Sequence, residues 1–157
     1  MPAAFEFRAD VCGGEERIFA YLDELANAAG DIVASKLGTE VLQEVDGLAG
    51  GSATSKFRRC AMVNVRLPVA VGGDEGRWKP TRDGDCVIKE EKEVQATLKW
   101  VGETLIKKHG TFVPVFKYGG WLWTRLSAQV YLERKDFEWI GDVLREVCDK
   151  VRRGELD

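Results

Sequence analysis

The part of the sequence best suited to chemistry is a predicted strand in which a single arginine lies among aromatic and amide side chains. Successive side chains of a strand point to opposite faces, so alternate residues share a face. The residues that share this face are Trp121, Trp123, Arg125, Ser127, Gln129 and Tyr131. A solvent-facing strand would carry Lys, Glu and Thr instead. The pattern is typical of the lining of a binding site and makes Arg125 its central candidate.

Two ordinary interpretations of Arg125 stay open at this point. A lone arginine on a strand commonly pairs with a nearby carboxylate. It also commonly lies with its aliphatic stem on the sheet and its charged head in water. The residues alone do not separate these interpretations from a binding role.

Other kinds of chemistry find little support in the residue pattern. His109, the one histidine, precedes Gly110 at the end of a predicted helix, where it is most simply a cation that interacts with the helix C-terminus. The four cysteines, Cys12, Cys60, Cys86 and Cys148, lie far apart and form no Cys-x-x-Cys pair, so we expect no metal site. No nucleophile–base pair is visible, and the sequence predicts no catalytic residue.

Composition sets further bounds on the function. The chain has 157 residues, of which 45% are hydrophobic and 31% charged, and its formal net charge is -3. These values predict one domain with a real core and give no support to nucleic-acid binding. No apolar run approaches the roughly 20 residues that cross a bilayer, and the first residues lack a signal-peptide layout. We therefore expect a cytoplasmic protein with reduced thiols and no membrane partner.

The elements that must position Arg125 follow from the apolar periodicity. We predict linker helices over residues 1–37 and a small C-terminal domain over residues 38–157, with flexible loops at 43–59 and 69–88. A strand should run over residues 60–68 and end at Pro68, and another short strand over residues 39–42. A helix should run over residues 89–108 and another from Asp136, its predicted N-cap.

The fold class follows from the order of these elements. A hairpin with Gly119 and Gly120 at its turn precedes the last helix, and its second strand carries Arg125 on through Tyr131. The order of helices and strands predicts an α+β two-layer sandwich, in which helices cover one face of a small, mostly antiparallel sheet. The other sheet face should carry Arg66, Trp121, Trp123 and Arg125.

Several segments resemble one known family over nearly the whole chain. The most specific segment is Arg125-Leu126-Ser127-Ala128-Gln129-Val130-Tyr131. Others are Pro2 to Arg8, Cys12 to Ile18, Leu37-Gly38-Thr39-Glu40, Met62 to Pro68 and Gly110 to Phe116. The sequence is similar to class V aminotransferase-like enzymes, in the isopenicillin N epimerase-like branch that includes fungal hercynylcysteine sulfoxide lyases of ergothioneine biosynthesis.

The resemblance implies the C-terminal small domain of a fold type I enzyme that uses pyridoxal 5'-phosphate. In that family the lysine that holds the cofactor lies in a large domain upstream, and none of the lysines here matches it. We therefore expect the large domain to lie outside this chain and the chain to be inactive by itself. In a complete lyase the cofactor would act as an electron sink while the Cβ–S bond breaks.

The resemblance also gives roles to the candidate residues. The arginine of the matching motif binds the α-carboxylate of a small amino-acid-like substrate, so it implies a carboxylate clamp at Arg125. Trp121 and Trp123 would border the substrate entrance, with core packing as the alternative. A large-domain partner or a homo-oligomer would complete the site. The second hypothesis is a non-catalytic binding or interaction domain derived from the same family.

Overall fold

A four-stranded sheet organises the chain, and the computed structural model describes residues 2–43, 56–72 and 86–156. The helices are α1 (Pro2–Glu6), α2 (Glu15–Leu37), α3 (Glu91–His109) and α4 (Arg134–Arg153). A single π-helical segment, Phe7–Val11, continues α1, and a 3-10 turn spans Lys56–Arg58. The strands are β1 (Met62–Val71), β2 (Cys86–Ile88), β3 (Val115–Tyr118) and β4 (Trp121–Ser127).

The sheet confirms the predicted α+β fold class. Its strand order is β2-β1-β4-β3, with β1 and β2 parallel and the other two pairings antiparallel. The core lies between the helices and the sheet face that carries Val63, Val65, Leu122 and Leu126, all at most 3% exposed. The apolar stripe of α4 is buried there as well: Phe137, Ile140, Leu144, Val147 and Val151. This architecture is compatible with a small C-terminal domain of the expected kind.

The long helix α2 forms where the apolar stripe predicted it. Glu15 and Glu16 occupy its first turn, where the helix dipole favours negative charge. Leu25, Ala29 and Val33 are buried on its inner face. Gly38 ends the helix in the left-handed conformation at φ 64°, which a glycine adopts without strain.

The prediction that Pro68 ends its strand is wrong. The strand β1 continues to Val71, so Pro68 lies inside it. The pairing of β1 with β4 shifts register between Arg66 and Ala70, which is the interval that contains Pro68. An irregularity of this kind accommodates a residue that has no N–H to donate to the ladder.

The prediction of a loop over residues 69–88 is wrong at both ends. Val69 and Val71 belong to β1, and they pair with the three-residue strand β2 at Cys86 and Ile88. Such a short strand carries too few residues for an alternating pattern to stand out. Residues 73–85 in the middle of this loop, which include Trp78, lie outside the described residues. Residues 44–55 of the loop predicted at 43–59 lie outside them as well.

Three further boundaries differ from prediction. The strand β4 ends at Ser127, so Gln129 and Tyr131 follow it in a turn. The strand predicted at 39–42 is a single bridge between Val41 and Val65. The N-cap of α4 is Glu133, and Asp136 is the third helical residue of a capping box, since it accepts a hydrogen bond from the Glu133 backbone N–H at 2.7 Å.

Candidate functional site

Arg125 lies near the middle of the sheet, between β1 and β3. It is directly opposite Asn64 in the antiparallel ladder of β1 and β4. Its Nε donates a hydrogen bond to Asn64 Oδ1 at 3.3 Å, and its guanidinium carbon lies 5.6 Å from the centre of the Phe116 ring. The side chain is nevertheless exposed. The sheet therefore holds the base of the guanidinium and presents the rest of it to solvent.

The acidic partner that one interpretation of Arg125 required is not found in the described part of the chain. Arg125 forms no ion pair with a carboxylate of residues 2–43, 56–72 or 86–156. Other arginines behave differently: Arg58 pairs with Asp31 at 2.7 Å, and Arg66 pairs with Glu40 at 3.2 Å. The charge of Arg125 is thus available to a ligand.

A cleft of ≈ 400 Å³ opens beside Arg125. Ser127, Gln129 and Tyr131 also line it, so the structure brings together four members of the face predicted from the sequence. Aromatic walls complete the cleft at Phe112, Phe137 and Trp139. Phe112, Tyr131 and Trp139 are exposed at 64%, 76% and 48%. The arrangement suits a molecule with a carboxylate at one end and an apolar body.

The two tryptophans predicted beside Arg125 are buried and lie outside this cleft. Trp121 is 4% exposed and Trp123 is 6% exposed. Trp123 Nε1 donates to the Tyr118 backbone oxygen at 2.9 Å, which satisfies its polar atom. Both residues line a separate cleft of ≈ 610 Å³ with Glu40 and Leu42. Their predicted contact with substrate stays a prediction.

Arg66 packs on one of these two tryptophans. Its guanidinium carbon lies 4.0 Å from the centre of the Trp121 ring, a cation–π contact in a site where Arg66 is 1% exposed. The alternation of side chains placed Arg66 on the correct face of the sheet but did not predict which residues it contacts. Glu40 reaches it because the chain after α2 crosses β1 at the Val41–Val65 bridge, a contact that no local pattern reveals.

The described lysines do not fit the covalent site of pyridoxal phosphate. A lysine that forms such a bond needs a desolvated amine with a lowered pKa. Lys36 and Lys150 are half-buried, and the other lysines whose side chains are described are exposed. Hydrogen bonds from the Lys36 and Lys150 ammonium groups hold the pKa of Asp142 and of Glu146 below the usual carboxyl range. These two lysines are charged surface partners.

The described residues include a buried thiol, Cys148, and no cluster of metal-ligating side chains. Burial raises the pKa of the Cys148 thiol to about 12, so this group stays protonated and unreactive at neutral pH. Within residues 2–43, 56–72 and 86–156, no group of three His, Cys, Asp or Glu side chains is placed to hold a metal ion. In the same part of the chain, no helix has the length and apolarity to cross a membrane.

The chain is similar over almost its whole length to two proteins of Epichloe uncinata. These are the L-cysteine desulfhydrase-like proteins lolT1 and lolT2, each 40% identical over 156 residues, which is 99% of this chain. The hercynylcysteine sulfoxide lyase of Schizosaccharomyces pombe is 29% identical over 145 residues. No protein-family model matches the sequence.

The similarity covers only part of each relative. The chain spans about a third of the length of these proteins: 34% of lolT1, 33% of lolT2 and 28% of the sulfoxide lyase. The chain is therefore similar to one part of each of these proteins, which are named for desulfhydrase-like and sulfoxide lyase activity.

Proposed function

We propose that this chain is the C-terminal small domain of a pyridoxal phosphate-dependent carbon–sulfur lyase of the class V aminotransferase-like kind, resembling hercynylcysteine sulfoxide lyase. The single observation that carries the proposal is Arg125, an exposed guanidinium without an acidic partner among the described residues, at the mouth of an aromatic cleft. The names of the relatives support the reaction, since a desulfhydrase and a sulfoxide lyase both release sulfur from a cysteine-type molecule.

In this proposal Arg125 binds the α-carboxylate of the substrate. Two N–H groups of a guanidinium match the two oxygens of a carboxylate, so the grip fixes orientation as well as position. A fixed carboxylate limits rotation of the amino acid and so sets which bond at Cα meets the reactive group. The aromatic walls at Phe112 and Trp139 would shield the sulfur-bearing end from water.

The cofactor would be held by residues outside the described part of this chain, because the described lysines do not fit it. Pyridoxal phosphate supplies an electron sink for cleavage next to Cα. The contribution of this chain is then to bind and orient the substrate, and we propose no proton transfer by its residues.

A chimera tests the proposal. The segment of the S. pombe lyase that matches this chain would be replaced by residues 2–156, and release of the sulfur product would be measured. We expect activity, and Arg125→Lys should lower kcat/KM about 10- to 100-fold, because a point charge does not replace two parallel donors. Arg59→Lys, a substitution outside the cleft, is the matched control. A folded, cofactor-loaded chimera that is inactive, or one that is indifferent to Arg125→Lys, would contradict the proposal.

Borohydride trapping of the chain with pyridoxal phosphate gives an independent check. We expect scattered, low-occupancy adducts on surface lysines, read by intact mass and peptide mapping. Labelling of one dominant lysine, with saturation, would show that the chain builds its own cofactor site. The proposal that the cofactor is held by residues outside the described part of this chain would then be wrong.

A further inference from the structure

We propose that Asn64 is a positioning residue, whose neutral side-chain oxygen holds Nε of Arg125 and directs the two terminal nitrogens to a ligand carboxylate. The inference rests on the proposed function and deepens it, because it assigns the way in which the site grips its substrate. Neither the family resemblance nor the names of the relatives give a role to Asn64.

Asn64 and Arg125 form a close pair across two adjacent strands. Asn64 and Arg125 are direct cross-strand neighbours, and side chains at such positions stand next to each other on one face. Asn64 Oδ1 accepts from Nε at 3.3 Å. With Nε engaged, the donors left to a carboxylate are those of Nη1 and Nη2. The carboxylate should therefore bind end-on, in line with the side chain.

The residue opposite Arg125 carries an amide and not a carboxylate. An aspartate at this position would form the same hydrogen bond, but it would also neutralise the guanidinium. A ligand carboxylate would then have to displace a tethered competitor. Asparagine orients the guanidinium and leaves its charge to the ligand.

A second arginine–asparagine pair in the same chain shows the contrast. Arg58 Nε donates to Asn27 Oδ1 at 2.8 Å, but a terminal nitrogen of Arg58 also binds Asp31 at 2.7 Å. Arg58 thus has both the amide and the carboxylate. In the described part of the chain, Arg125 has the amide alone. The difference separates a structural arginine from one whose charge is kept for a ligand.

An aromatic ring restrains the guanidinium from the other neighbouring strand. The Phe116 ring lies 5.6 Å from the Arg125 guanidinium carbon, on the strand beyond β4. Asn64 on β1 and Phe116 on β3 therefore flank the guanidinium from both neighbouring strands. A long, flexible side chain held at two points loses less entropy when it binds its ligand.

The test is a titration of the 157-residue chain with S-methyl-L-cysteine, with sodium chloride at equal ionic strength as the baseline. The guanidinium N–H signals of Arg125 would be followed by nuclear magnetic resonance and assigned with Arg125→Lys. We expect a saturable shift in the unmodified chain. Asn64→Asp should weaken the apparent affinity about tenfold or more, since the new carboxylate competes for the same charge.

Two further variants separate positioning from a general disturbance of the sheet. Asn64→Leu keeps the shape but removes the acceptor, so we expect a weaker affinity and faster exchange of the Arg125 Nε proton. Asn27→Asp, the same substitution beside Arg58, is the matched control and should leave the titration unchanged. Circular dichroism of each variant would verify the fold.

The outcomes distinguish the inference from the function it rests on. If Arg125 responds to the ligand in the unmodified chain and equally in folded Asn64→Asp and Asn64→Leu, the positioning role is overturned while the clamp stands. If Arg125 does not respond in any form, the clamp itself is overturned, and the role of Asn64 is overturned with it. A loss confined to the Asn64 variants supports both.

Discussion

Two arginines on one face of the same sheet have opposite environments. Arg66 on β1 is 1% exposed, lies over Trp121 and is paired with Glu40. Arg125 on the neighbouring strand β4 is exposed, donates a hydrogen bond to the Asn64 amide oxygen, lies 5.6 Å from the centre of the Phe116 ring, and opens onto a cleft. The ladder places Arg66 opposite Trp123 and Arg125 opposite Asn64, two residues away.

The difference shows that burial decides how an arginine can be used. A buried charge must be paired or stacked, because its transfer from water is otherwise costly. The N–H groups of a buried guanidinium are then used in contacts that stabilise the fold. An exposed guanidinium on a rigid strand avoids that cost and keeps donors for a ligand. By this comparison Arg66 stabilises the structure, whereas Arg125 keeps its donors in solvent, as the proposed binding role requires.

The largest expected effect comes from truncating the buried arginine. Arg66→Ala should lower the free energy of unfolding by about 2–4 kcal/mol, because it removes the contact with Trp121 and leaves a cavity. Arg125→Ala should change it by less than about 0.5 kcal/mol. Urea denaturation of both variants measures the difference. Equal losses would remove the distinction between the two residues.

An intermediate effect is expected where α2 meets the strand that carries Arg66 and Asn64. A Cβ added at Gly30 would lie 2.7 Å from Val63 Cγ2 and 3.2 Å from Val41 Cγ2. Gly30→Ala should therefore push the helix from β1 and cost about 1–2 kcal/mol, despite the higher helix propensity of alanine. Thermal and urea unfolding would measure it.

Gly102 in α3 is the matched control for that substitution. A Cβ added there meets nothing within 4 Å, so Gly102→Ala should stabilise the protein by about 0.5–1 kcal/mol through helix propensity alone. Opposite signs for the two substitutions would confirm that close packing positions β1. If Gly30→Ala were also stabilising, the sheet would be free to shift, and the fixed relation between Asn64 and Arg125 would be in doubt.

The sequence was sufficient for the parts of the fold that rest on local patterns. Apolar stripes predicted α2, α3 and α4, and Gly119 and Gly120 predicted the hairpin, since both adopt positive φ angles. The sequence was insufficient where contacts between distant segments determine which strands form. The strand β2 exists because β1 continues past Pro68 and offers a parallel edge, and neither fact has a local signal.

The candidate site was predictable to a similar extent. Alternation placed Arg125, Ser127 and Arg66 on one face, which was correct for β1 and β4. It did not show that other residues of the chain bury Trp121 and Trp123. It also did not show that Asn64 is the cross-strand neighbour of Arg125. Those facts depend on strand register, which is set by the pairing of β1 with β4 rather than by either strand alone.

The smallest expected effect concerns Glu40, an acidic partner of the buried arginine. The Glu40 side chain is 63% exposed and lies 3.2 Å from Arg66 Nε. Glu40→Gln should cost less than about 1 kcal/mol at low salt, because water already screens the exposed carboxylate, and added salt should reduce the difference. Urea denaturation at two salt concentrations measures both values.

The exposed pair of Glu24 with Arg134 provides the control for Glu40. Both of its side chains are largely in water, so Glu24→Gln should cost less than Glu40→Gln. If Glu40→Gln cost as much as Arg66→Ala, the charge of Arg66 would depend on its acidic partner more than on Trp121. The ring contact would then be a consequence of the ion pair. A small cost would instead show that the exposed carboxylate of Glu40 contributes little to the stability of the buried arginine.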